Sequence, residues 1–111
     1  MAQSTQEVDY IKKKTEVGPV TWLGSLDLLG SAWVLANLIF ADNLDLKVAV
    51  EHNIGDVHAA SIYPRCGVYP DLSGAILMGI RTEMATDWLL NDPFEIMRVM
   101  LSARRLRASD Y

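Results

Sequence analysis

Both histidines of the chain, His52 and His58, fall within one seven-residue window, with Glu51 and Asp56 beside them. In an extended backbone His52, Asp56 and His58 would project to one side, because side chains alternate across a strand. Cys66, the only cysteine, follows a few residues on. Imidazole, carboxylate and thiolate are ligands for a zinc-like ion, and three of them leave a position open for water. The same groups would also serve as a base and its orienting carboxylate. The spacing matches no standard metal motif, so no metal and no cofactor is expected, and the plain reading is a polar turn with exposed or satisfied histidines. Cys66 would act as a nucleophile only if a base or a helix N-terminus lowered its pKa. Otherwise it is a small apolar residue.

A second cluster lies just downstream. Tyr63, Arg65, Tyr69 and Asp71 sit in or beside a stretch punctuated by Pro64, Gly67 and Pro70. Tyrosine and arginine are prominent in binding hot spots, and arginine reads carboxylate and phosphate groups. The expected ligand-binding residues are therefore His52, Asp56, His58, Arg65, Tyr69 and Asp71. No catalytic residue is assigned.

Local patterns predict the elements that must hold these groups. Ser4 and Glu7 form a capping box that opens a helix over residues 5–15, with Lys12, Lys13 and Lys14 at its end and Gly18-Pro19 beyond it. Residues 20–23 read as a short strand. Residues 26–41 are apolar nearly all round and predict a helix that is either buried or in lipid. Residues 22–41 would just span a hydrocarbon core of about 30 Å, but Asp27, Asn37 and two glycines oppose insertion, and a buried central helix is preferred. Residues 46–50, with Leu46, Val48 and Val50 on one side, read as a strand. A turn at residues 53–56 and a return over 57–63 complete an antiparallel hairpin. Residues 64–73 form a loop. Residues 73–90 read as a helix, or as a strand over 75–80 with helix from 82. Asp92-Pro93-Phe94-Glu95 caps a last helix reaching about residue 107. Glu95, Arg98, Ser102 and Arg105 are its wet stripe, and Phe94, Met97, Met100 and Leu101 belong to a broad apolar arc that predicts a partner. Trp22, Trp33 and Trp88 are assigned to the core.

The fold class expected is α+β, with three or four helices packed around a small antiparallel sheet or hairpin, in one domain over residues 1–111 without internal repeats. With 50% hydrophobic residues and a mean hydropathy of +0.13, a chain this small has apolar surface to spare, which points to a homo-oligomer. The net charge is −4, with the basic residues gathered toward the two ends and an acidic body between them. That balance excludes broad nucleic-acid binding. A lone cysteine fits a reducing compartment, and the first residues do not read as a secretory signal, so a cytoplasmic location is expected. The first functional reading is a small homo-oligomeric regulatory protein that binds a ligand or partner without catalysis. A second is a small enzyme using His52, Asp56 and His58, with or without Cys66 and with or without a metal. A third is a membrane-associated accessory subunit anchored by residues 26–41.

Overall fold

The computed structural model describes residues 2–60, 62–69, 71–88 and 91–108, with residues 107 and 108 as backbone. Ser4 opens α1 (Thr5–Thr15) as expected, its side chain accepting from the Glu7 N–H at 3.2 Å. Glu7 returns the contact one residue further out, at the Gln3 N–H. The helix stops at Glu16, which takes a left-handed conformation.

Pro19 does not merely follow a helix; it begins the next. α2 (Pro19–Ser25) occupies the region expected to be a strand. Its N-terminus is capped from another element: buried Asp45 accepts from the Thr21 N–H at 2.8 Å and from the Thr21 hydroxyl at 2.7 Å. Gly18 leaves room for that carboxylate, since a Cβ there would collide with it.

Three short strands form the sheet: β1 (Val34–Ala36), β2 (Gly55–Ala59) and β3 (Arg81–Ala85), in that order and all parallel. The antiparallel hairpin predicted from the sequence is therefore overturned. Parallel strands cannot be joined by a tight turn and need a crossover, usually helical. Here the crossovers contain α3 (Asn43–Glu51) and α4 (Leu72–Leu77). Residues 46–50, expected as a strand, lie inside α3. Asp42 starts that helix by accepting from the Leu44 and Asp45 N–H groups at 3.0 and 2.9 Å. Residues 26–41, expected as one helix, instead hold turns and β1. The helix expected over residues 73–90 is instead α4, a turn and β3 up to Ala85, and residues 89 and 90 of that expectation lie outside the described residues. No helix among the described residues is long and apolar enough to cross a membrane.

The two helix-to-strand connections are built alike. α3 leads to Asn53 and α4 to Gly79, both at positive φ, and the next residue is a buried isoleucine. Ile54 N–H donates to Ala49 at 2.9 Å, and Ile80 N–H to Ala75 at 3.1 Å, the long-reach bond of a Schellman-type helix end. Ala49, Ala75, Ile54 and Ile80 then meet Val20 and Leu35 in one core. Burying an aliphatic side chain of this size contributes about 1.5–3 kcal/mol. Small alanines at the helix positions let both helices approach the sheet closely.

One face of the sheet is covered in this way, and the other is covered in part, over Ala59 at the end of β2. Leu35, Asp56 and Thr82 stand side by side in register on the covered face. On the other, Val34 is 59% exposed, and Ala36, Arg81 and Glu83 are exposed as well. α5 (Pro93–Ala108) packs beside β3 through buried Ile96, with Asp92 accepting from the Phe94 N–H at 2.9 Å as its cap. The remainder of its apolar arc is largely open, with Phe94, Met97 and Leu101 exposed. Trp22, Trp33 and Trp88 are exposed too, contrary to their assignment to the core.

Candidate functional site

The central strand β2 carries the only two residues of the histidine window that come together. Asp56 and His58 alternate onto the covered face, and both are buried, at 3% and 1% exposure. They line a cleft of about 230 Å³ together with the segment after β1 (Leu38, Ile39, Ala41), the start of α3 and the start of α4, where Asp71 stands. This is the carboxyl end of the parallel strands, where α/β sheets characteristically hold their ligands. The volume is below the roughly 300–1,000 Å³ of sites for drug-sized molecules.

Asn37 sets the geometry. It follows β1 with φ at 60°, a left-handed turn that swings the chain across the end of β2. Its side-chain oxygen accepts from the Ala59 N–H at 2.7 Å, and its own N–H donates to Val57 at 3.0 Å. The next amide, Leu38 N–H, then reaches the Asp56 carboxylate at 3.2 Å. Asp56 is thus held by backbone donors. Burial pushes its pKa above the usual carboxylate range, and the backbone amides of Leu38 and Asn37 oppose that rise.

His58 is held neutral by burial, which pushes its pKa down to about 4. Its ring stacks on Tyr63 of the 3-10 turn Tyr63–Cys66, with centroids 6.1 Å apart. The imidazole Nδ1 is buried and has no hydrogen-bond partner among the described residues. Thr82 Oγ1, on the strand beside Asp56, is in the same condition. A buried polar atom left unpaired costs about 1–3 kcal/mol and calls for an explanation, most simply a molecule that completes it.

Asp71 caps α4, accepting from the Gly74 N–H at 2.9 Å, and brings a second carboxylate to the cleft. The other expected ligand-binding residues lie elsewhere. His52 ends α3, at the amino end of β2, away from Asp56 and His58. Arg65 and Cys66 are exposed in the 3-10 turn. Tyr69 faces a separate groove against Glu95, Arg98 and Val99 of α5. Among the described residues no group of three or more histidine, cysteine, aspartate or glutamate side chains is gathered to hold a metal ion. Asn37 and Asp45 were missed by the sequence reading, because each does its work through a fold-dependent contact with a distant amide. Comparison with protein-family models, with curated proteins and with solved structures found no match for the chain.

Proposed function

We propose that the chain is a ligand-binding protein without catalytic activity, and that the Asp56–His58 cleft takes its small-molecule ligand. The observation that carries this reading is His58, a buried residue lining a cleft at the carboxyl end of the strands, whose Nδ1 has no hydrogen-bond partner among the described residues. Catalysis is the weaker reading. An effective general base has a pKa near the working pH, and an imidazole near 4 is too feeble a base for that work. His52, which the enzymatic reading needs beside Asp56 and His58, ends α3 at the amino end of β2, and Cys66 is exposed at the end of the Tyr63–Cys66 turn. The test is a fragment screen followed by amide chemical shifts on the full chain. Binding should perturb Asp56, His58 and Ala75; hits that perturb only α5 would overturn the assignment.

The protein also works as a homo-oligomer in this reading. The supporting observations are the exposed Val34, Ala36, Arg81 and Glu83 on the second face of the parallel sheet and the exposed apolar residues of α5. Parallel sheets are almost always covered on both faces. A second copy is the preferred partner, since the acidic balance of the chain disfavours nucleic acid. Light scattering should give a mass of at least two chains, and a monomer at high micromolar concentration would refute it.

A further inference from the structure

We infer that the cleft on β2 recognises a small organic cation, an ammonium or amidinium group carried on a short aliphatic body. The inference rests on the binding role proposed above and adds the chemistry of the ligand. The polar groups of the cleft are Asp56, His58, Asp71 and Asn43, and no lysine or arginine lines it among the described residues. Asp56, the buried carboxylate among them, has no basic side chain in the same wall. A carboxylate taken out of water is costly unless it is paired.

The donor and acceptor inventory points the same way. An ionised aspartate only accepts hydrogen bonds, and a neutral imidazole offers one acceptor nitrogen. The Asp56 carboxylate already receives the Leu38 N–H, but two oxygens have capacity for several donors. Independently of the carboxylates, His58 lines the cleft at 1% exposure, and its Nδ1 has no hydrogen-bond partner among the described residues. With the imidazole proton on Nε2, Nδ1 is the acceptor and a ligand rich in N–H groups satisfies both residues, whereas an anion would face two carboxylates. The rest of the wall, Leu38, Leu46, Met78 and Ile80, is aliphatic and suits a short hydrocarbon body.

Four probes of similar size separate the possibilities: n-butylammonium, n-butylguanidinium, 1-butanol and butyrate, each titrated into the full chain and followed by amide and imidazole chemical shifts. The cations should shift Asp56, His58 and Ala75 saturably, and the neutral and anionic probes should not. Asp56→Asn, which keeps an oxygen for the Leu38 N–H, should weaken the cations roughly tenfold or more. Asp71→Asn, at an exposed position, should weaken them less and gives a second reading if the Asp56 variant does not fold. Binding of 1-butanol or butyrate as tight as that of the cations would overturn the cation and leave the cleft as a binding site. Equal affinity of the cations for wild type and both variants would also overturn it. No response at the cleft to any probe would overturn the cation and the binding role together.

Discussion

Replacing His58 by leucine removes a titratable group from β2 while leaving a side chain of similar bulk in its place. In the folded chain the imidazole has a pKa of about 4, against 6.5 when solvated. The unfolded chain therefore binds a proton that the folded chain refuses throughout that window. Stability is fully present above about pH 6.5 and falls as the pH drops toward 4, levelling off only once the folded imidazole also protonates. At roughly 1.4 kcal/mol per decade, the gap corresponds to a loss of about 3 kcal/mol. Asp56 acts in the opposite sense. Its pKa is raised above 3.8, so its contribution is present below 3.8 and is lost as the pH rises through the folded value. Comparison of wild type with His58→Leu cancels this second effect to first order. Urea unfolding between about pH 7.5 and 4.5 should show the wild type losing about 2–3 kcal/mol more than the variant. At neutral pH the variant should be close to wild type, because the imidazole it loses had an unsatisfied nitrogen. Parallel losses in the two proteins, or an imidazole titrating near 6.5 in the folded state, would refute the account of His58 as buried and neutral.

Other outcomes follow from single contacts. Gly18→Ala drives a methyl into the Asp45 carboxylate and should cost about 1–3 kcal/mol in urea unfolding. Asp45→Ala removes both bonds to Thr21 and should cost about 2 kcal/mol or more, and combining it with Gly18→Ala should cost less than the sum. Lys12→Met breaks an ion pair of 2.8 Å between half-exposed side chains and should cost less than about 1 kcal/mol. Asp42→Ala loses the same pair and the α3 cap, so it should cost more, about 1–2 kcal/mol. Met97→Glu should lower the mass seen by light scattering without lowering the thermal midpoint of the dissociated chain, since Met97 is already exposed in the single chain.

The helix caps are legible in the sequence where they are local. Ser4 with Glu7, and Asp92 with Pro93, mark two helices correctly because each cap reaches only an amide two or three residues on. Asp42 carries the same signal before α3, but Leu44, Leu46, Val48 and Val50 alternate like a strand and mask it. β3 fails for the reverse reason: Arg81, Glu83, Met84 and Ala85 favour helix, and pairing with β2 overrides that preference. Gly79 was the available clue, since a glycine at positive φ ends α4 just before the strand. At the site, Asp56 and His58 are two apart and share a face of β2 as an extended backbone requires. His52 is separated from them because a helix end intervenes. Asp71 is brought in by α4, a placement that no spacing in the sequence encodes.

A sheet whose every pairing is parallel constrains how the chain reaches its native state. Each strand must wait for roughly twenty residues of crossover to be closed before it meets its neighbour, so no pair of strands can zip from a turn. β2 lies between the other two and cannot be fully hydrogen-bonded until both crossovers are in place. Slow, concerted assembly is expected for such non-local contacts. In native-state hydrogen exchange the amides of β2 should open only with the whole molecule, whereas the outward-facing amides of β1 and β3 exchange through local opening. The groups that line the cleft hang on that central strand. Any opening that frees Asp56 and His58 from their places is therefore one that dismantles the sheet, and the cleft persists for as long as the fold does.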